Sequence, residues 1–474
     1  MGRRNVSELR PRSLFDVPAL QQTLDEMGIK HMHLRSVHKH IFQSGQIDGV
    51  PASFEVPKRL TALLSNSDEY QLLTSKIKTR QDCTDTTKLL ITLADGANVE
   101  TVIMRHKNYT SVCVSSQVGC RMACRFCATG TLGLSGNLTC GEILEQLWHA
   151  RQIEVSEGRE APRNVVFMGQ GEPLDNYDAV CAAVHGMCES SMFGLAPKHV
   201  TVSTVGVVSK MRRMHLDMPA GINLALSLHA PTQELRERIV PTAQAYRLED
   251  IMQALDEHLS TTKKVRAMIE CIVIRDVNDS LDVAHKFGEL LSPWASKLIV
   301  NLIPYNPTEV DDGFLPPADD SVREMQELLM SQYKMHVRVR KEMGQDIDGA
   351  CGQLALKTTP TCQTMSVGDI EDLVRQLDQE ERRTAKHRPL PRTSKMRLHR
   401  AAALRKKKQN QKEACGDCSC DKQEECCNER QQEMPVQIRV EPESSTWKWL
   451  IIGGAAAVIL ASAWINTDYS SSVY

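Results

Sequence analysis

The chain reads as an α/β protein with a parallel sheet, on three observations. From about residue 110, short apolar runs rich in β-branched residues alternate with helical patterns. The candidate strands cover residues 111–115, 164–169, 199–205, 221–228, 265–274 and 297–304. Helical periodicity covers 141–150, 177–188, 249–258 and 281–291 between them, the spacing of repeated strand–helix units. Such repetition fits a barrel or an open sheet, and six units are too few for a complete eight-fold barrel. Functional groups are then expected at the C-terminal ends of the strands. The composition agrees: 474 residues, 41% hydrophobic and 24% charged, describe an ordinary globular chain of two to four units. Aromatic content of 4% argues against a large aromatic-lined binding surface.

Residues 1–95 read as a small accessory unit. Helical periodicity covers 17–28, ending at a glycine stop, then 33–43 and 57–64. Two β-branched runs within 87–104 flank Ala94-Asp95-Gly96-Ala97, a hairpin signal. The opening MGRRNVSELRPRSLFDVP carries charges and no apolar run, so no signal peptide is expected. Val6 stands where N-myristoylation asks for Ser or Thr.

The far end is of another kind. The net charge is −2, yet twelve Lys/Arg and no Asp/Glu lie between Arg382 and Lys408, which leaves the rest at −14. Residues 381–445 therefore read as a basic, cysteine-containing linker. Cys415, Cys418, Cys420, Cys426 and Cys427 within it bind zinc, act in redox chemistry or are chance thiols. Residues 449–465, WLIIGGAAAVILASAWI, are 17 without a charge, flanked by Trp447, Trp449 and Trp464. A helix of that length spans roughly 26 Å, just enough for a hydrocarbon core. A transmembrane tail anchor over 446–466 is expected, and the basic N-terminal flank keeps the large domain on the cytosolic side. An endoplasmic reticulum or outer organellar membrane fits the short uncharged-to-acidic tail.

Sixteen cysteines without a secretory signal point to metal, cluster or redox chemistry more than to disulfides. Cys120, Cys124 and Cys127 form C-x3-C-x2-C in CRMACRFC, just after the first strand of the series. Iron–sulfur cubanes are held by thiolates, normally four. Three on one loop leave an iron open to a substrate or cofactor, as catalytic zinc sites keep an open position. A zinc site is the plainer alternative, but it wants two ligand pairs, and no second pair lies in the globular part.

The C-x3-C-x2-C spacing, with Phe126 before the last cysteine, resembles the radical S-adenosylmethionine (SAM) superfamily. CVSSQVGCRMACRFCATG, MGQGEP, LSLHAP, LIPYNP and DIDGACGQL, in that order, resemble the RlmN/Cfr family, which methylates adenine in RNA. The likeness runs from about residue 15 to 355. It implies a partial (βα)6 barrel core over 96–345, a catalytic loop and helix over 346–380, one 4Fe–4S cluster and two SAM per turnover.

The resemblance assigns the cluster to Cys120, Cys124 and Cys127, and the SAM amino group to Gly171 and Glu172. Ser203, Ser227, Leu228, His229 and Asn306 match further SAM contacts. On residues alone these are weak signals, since a glycine turn or a lone Ser, His or Asn is more often structural. Cys113 in a strand reads as a buried hydrophobe. Cys351 in the Gly-rich QDIDGACG reads as accessible and reactive. Within the family they match the catalytic pair. Carbon 2 of adenine is electrophilic, so simple displacement on SAM cannot methylate it. The resemblance implies that Cys351 is methylated first, that its S-methyl group yields a radical adding to the base, and that Cys113 resolves the adduct as a disulfide. The two thiols are then expected to face each other across the SAM site. Glu100 in VETVIM matches an acid proposed to help remove the proton.

RNA binding needs local basic patches, for which Lys210, Arg212 and Arg213, then Arg338, Arg340 and Lys341, are candidates. The 382–408 tract adds RNA affinity, contacts anionic lipid, serves as a nuclear signal or is only a solvated linker. The expected partners are ribosomal or transfer RNA, an electron donor such as flavodoxin or ferredoxin, and a membrane, for a monomer. The runner-up activity is methylation at adenine carbon 8. A methylthiotransferase would need three more upstream cysteines, and only Cys83 precedes Cys113. A membrane-tethered RNA-binding protein without catalysis would need neither Cys113 nor Cys351.

Overall fold

The computed structural model describes residues 4–44, 56–261, 267–308, 313–340, 347–349 and 352–354. Cys351, Lys341, the basic linker and the expected membrane segment lie outside these residues. Among the described residues, no helix is long and apolar enough to cross a membrane.

One ten-stranded sheet organises the fold. From one edge it runs Lys76–Cys83, Thr86–Thr92, Asn98–His106, Tyr109–Cys113, Asn164–Phe167, Val200–Thr204, Asn223–Ser227, Ala267–Val273, Leu298–Pro304 and His336–Val339. The first four are antiparallel neighbours. From Tyr109–Cys113 onward every pair is parallel. Strand order follows chain order, so the winding never reverses as it does in doubly wound sheets. With right-handed crossovers, all helices then lie on one face, as in a barrel, while the two edge strands stay unpaired with each other.

All six expected parallel strands and all four expected helices are present. The helices Tyr177–Cys188 and Leu281–Leu291 match residue for residue. The sheet also holds Lys76–Cys83 and a seventh parallel strand, His336–Val339, which the alternation did not reveal. Their patterns explain it: KIKTRQDC buries no residue, and HVRV buries one of four. Both are edge strands, which tolerate charge. The helices Val208–Asp217, Gln233–Ile239 and Asp319–Ser331 were also missed.

The hairpin around Asp95 carries the sheet across the expected 95/96 division: Thr86–Thr92 pairs with Asn98–His106 in the ten-stranded sheet. The N-terminal helices Val17–Glu26 and Met32–Ser44 pack on the helix Cys140–Ser156. Thr139 and Glu142 close a capping box there. Trp148 on this helix stacks with Phe15 at 5.3 Å and Phe42 at 5.0 Å between ring centroids. Gly141 lets the chains meet, since a Cβ there would lie 2.6 Å from Ser13 Cβ. Buried Glu145 accepts the N–H groups of Thr74 and Ser75, each at 2.8 Å. Aromatic burial thus fixes the N-terminal segment to the first crossover helix, and Glu145 fixes the Thr74–Ser75 backbone to it.

Candidate active site

The cysteine loop leaves the first parallel strand at its C-terminal end, as the fold requires. Gly119, at φ +77, allows the turn, and a Cβ there would lie 1.9 Å from the Gly133 carbonyl oxygen. Cys120 donates its N–H to Gly133 O at 2.9 Å, and Cys127 donates to Cys124 O at 3.1 Å. The short helix Ala128–Thr131 closes the loop, with Gly130 packed against the Cys124 backbone.

A solvent-open cavity with about 880 Å³ of empty space meets this loop. Cys120, Cys124 and Cys127 line it together with Gly171, Glu172, Ser203, Ser227 and His229. Eight of the residues singled out in the sequence are thus brought to one cavity at the strand ends. Burial pushes the Cys120 thiol up to about 12 and Cys124 well above the ordinary thiol range, with the neighbouring Cys127 adding repulsion. Thiols so placed ionise only with positive charge beside them, which iron supplies. Among the described residues, no three His, Cys, Asp or Glu side chains converge as ligands of a single ion do. A cubane asks for something else: each thiolate binds a different iron, so the ligands stand apart. The three thiols on one cavity wall fit that group.

Glu172 is 3% exposed. Its Oε1 accepts the Leu174 N–H and its Oε2 the Val205 N–H, both at 2.9 Å. Burial raises its carboxyl to about 7 in spite of these bonds. Gly171 sits at φ +100, and a Cβ there would lie 2.6 Å from Gln117 Cβ. Ser203 and Ser227, on adjacent strands, share a hydroxyl–hydroxyl bond of 3.2 Å. His229 occupies the left-handed region at φ +63 and accepts the Ile272 N–H on Nδ1 at 3.1 Å. An accepting Nδ1 puts the ring proton on Nε2. Burial first, and then Arg236, lower the His229 pKa to about 3. The ring stays neutral and stands edge-on to Phe126 at 4.8 Å.

Other expected site residues sit elsewhere. Leu228 is fully buried in the core, and its N–H donates to Glu270 O at 3.1 Å. Asn306 is 3% exposed and does not line the cavity. Cys113 ends its strand and packs with Val102 and Leu354 behind the cavity wall. Glu100 is fully buried, 3.4 Å from Lys88 Nζ, and its Oε2 accepts from Gln170 Nε2 at 3.3 Å. Cys351 lies outside the described residues, but its chain neighbour Gly352 lines the cavity. Gly352 O accepts the Ala128 N–H at 2.7 Å, and Leu354 O accepts from Thr129 Oγ1 at 2.8 Å.

Two cavity or near-cavity residues, Glu270 and Arg236, carried no sequence signal. Glu270 lines the cavity, and so does Arg340, which was expected as an RNA-binding cation. Glu270 Oε1 accepts from Asn301 Nδ2 at 2.8 Å. Arg236 is buried beside the loop. A charged residue inside an otherwise apolar strand, as in AMIECIV, was the available clue for Glu270. The expected RNA-binding cations Arg212, partly exposed, and Arg213, exposed, pair with Glu257 and Asp217, each at 2.8 Å. Lys210 lies 4.8 Å over the Tyr177 ring. Arg338 is exposed.

Residues 114–285 match the Radical SAM superfamily. A probable dual-specificity RNA methyltransferase RlmN from Symbiobacterium thermophilum is 39% identical over 354 residues, 75% of this chain and 92% of the relative. The chain belongs to the RlmN family. The dual-specificity RNA methyltransferase RlmN 1 of Myxococcus xanthus is 38% identical, covering 72% of this chain and 94% of that protein. The crystal structure of a radical SAM methyltransferase from Sphaerobacter thermophilus superposes with a TM-score of 0.65 at 33% identity. It covers 73% of this chain and all of that one. Membership of the RlmN family makes the chain a methyltransferase of the radical SAM class, with the 4Fe–4S cluster and SAM which that class implies.

Proposed function

We propose that the chain methylates carbon 2 of an adenosine in ribosomal RNA, transfer RNA or both, through an S-methyl group carried by Cys351. The observation that carries this reading is Gly352. It adjoins Cys351 in sequence and lines the cavity shared by the three loop cysteines, Gly171 and Glu172. A reactive thiol at position 351 would then meet both SAM and an extruded base.

Cys120, Cys124 and Cys127 would hold the cluster, with Gly171, Glu172, Ser203, Ser227 and His229 around SAM. When bound, the cluster and SAM would supply a radical that takes a hydrogen atom from the S-methyl group. The chain's own residues supply the rest. Glu172, with both oxygens already held by backbone N–H groups, presents a fixed carboxylate to the SAM ammonium. Cys351 takes its methyl group from one SAM and then links through that carbon to the base. Glu100 helps to remove the ring proton. Cys113 attacks the Cys351 sulfur, which frees methylated RNA and leaves a disulfide. Support for Cys113 comes from Leu354, packed on it three residues beyond position 351. A second SAM per turnover, a flavodoxin- or ferredoxin-like electron donor and a monomeric state complete the reading. We further propose a tail anchor at 449–465 with the catalytic part facing the cytosol, on the strength of the uncharged apolar run.

The test uses protein truncated before Trp447 and reconstituted anaerobically with iron and sulfide. It is incubated with SAM, a reductant and separated ribosomal and transfer RNA. Nucleoside mass spectrometry should show 2-methyladenosine, lost in Cys351→Ala. Formation of 8-methyladenosine would assign the other carbon. SAM cleavage with no methylated nucleoside would overturn the RNA reading while leaving the cluster. For the anchor, alkaline extraction should release the truncated chain from membranes but not the full one.

A further inference from the structure

Arg236 is an orphaned cation. Its side chain belongs to the helix Gln233–Ile239 and is fully buried. One terminal nitrogen donates to Val205 O. Nε and Nη1 have no hydrogen-bond partner. No carboxylate forms an ion pair with it among the described residues, although it is one of the largest fully buried side chains. An uncompensated guanidinium with two open donors is among the costliest groups to bury, and it persists where an anion completes it.

The location says which anion. Val240 N–H donates to Arg236 O at 2.7 Å, Arg125 N–H to Ile239 O at 3.0 Å, and Thr242 Oγ1 to Met122 O at 3.1 Å. The segment that carries Arg236 is therefore bonded twice to the cysteine loop. Val205, whose carbonyl Arg236 holds, presents its N–H to Glu172. Cys124 in that loop, once ionised, and Glu172 are the two negative groups whose charge acts on it. Glu172 already has backbone donors on both oxygens. The thiolates of the loop to which its segment is bonded are then the anions left to complete Arg236.

We propose that Arg236 is the buried counter-cation of the iron–sulfur cluster, a positioning residue that sets how readily the cluster accepts its electron. A cubane with three thiolates is anionic, and adding an electron makes it more so. A fixed cation and hydrogen bonds to sulfur stabilise the reduced form and raise its potential. The proposal rests on assigning Cys120, Cys124 and Cys127 to the cluster. If reconstituted wild-type protein takes up no 4Fe–4S cluster, that assignment fails and the proposal falls with it, whereas a bound cluster that ignores Arg236 overturns the proposal alone.

The experiment is a redox titration of the cluster followed by electron paramagnetic resonance, on full-length wild type, Arg236→Gln and Arg236→Lys. At the potential where wild type is half reduced, Arg236→Gln should show about a tenfold lower reduced-to-oxidised ratio. Arg236→Lys, which keeps the charge, should stay within about threefold of wild type. An unchanged ratio in Arg236→Gln overturns the proposal. So does a SAM affinity that falls while the ratio stays constant, since that places Arg236 on the SAM carboxylate. If Arg236→Gln does not fold, wild type labelled with ¹⁵N-arginine decides. Pulsed resonance should show a guanidinium nitrogen coupled to the reduced cluster and lost in Arg236→Lys, and its absence from wild type overturns the proposal.

Discussion

Glu172 Oε2 accepts the Val205 N–H at 2.9 Å, which ties the turn after one parallel strand to the turn after the next. The bond fixes a buried carboxylate in the cavity lining. It also fixes Val205, the residue whose carbonyl Arg236 holds. Glu172 and Arg236 are thus joined through one residue.

That carboxylate makes stability depend on pH. Its pKa rises from 4.5 to about 7 on folding, so the folded chain holds an extra proton between those values. Stability from this group falls as pH rises through that window, by about 3 kcal/mol in all. His229, lowered to about 3, works the other way, with stability gained as pH rises towards 6.5. Chemical denaturation of wild type and Glu172→Gln at pH 5 and 8 isolates the first effect. The variant should lose less stability than wild type between the two values, and equal losses would refute the assignment.

Gly171 cannot carry a side chain. At φ +100, with Gln117 N 2.8 Å from the place of a Cβ, Gly171→Ala must move backbone. It should cost about 1–3 kcal/mol and abolish SAM binding. Calorimetric titration of SAM into the reconstituted variant checks this, and binding within twofold of wild type would count against it.

Lys88 and Glu100 form a buried ion pair on adjacent strands. Lys88→Met should destabilise by about 3–5 kcal/mol, because a buried carboxylate loses its cation. The double variant Lys88→Met with Glu100→Leu should recover most of that stability. If Glu100 also takes the ring proton, the double variant stays folded and inactive. A stable and fully active double variant would confine Glu100 to a structural role.

Gly352 holds the segment next to Cys351 at φ +88, with Phe126 O 3.2 Å from a notional Cβ. Gly352→Ala should shift that segment while leaving the SAM pocket intact. RNA methylation should fall at least about tenfold, with SAM cleavage in the absence of RNA unchanged. Parallel loss of both would mean that the substitution disturbs the cysteine loop itself.

The sequence determined the alternation of strands and helices because the parallel strands bury both faces and so read as apolar runs. VTVST is buried at every residue, and it was legible. The cysteine spacing and the glycines at 169 and 171 were legible for a related reason. Local chemistry dictates them whatever the surroundings. The edge strands KIKTRQDC and HVRV were not legible, since at an edge neighbours decide the conformation more than pattern does. Arg236 in QELRERI carries no mark that sets it apart from the charges around it, and only folding shows it buried. Lys210, Arg212 and Arg213 looked free for a polyanion, and tertiary contacts give each a partner within the chain: the Tyr177 ring for Lys210 and Arg213, Glu257 for Arg212. Chain pattern fixes which residues face inward along one element. Which charges meet across elements depends on packing between segments far apart in sequence, and that is where the unmatched cation beside the cysteines arose.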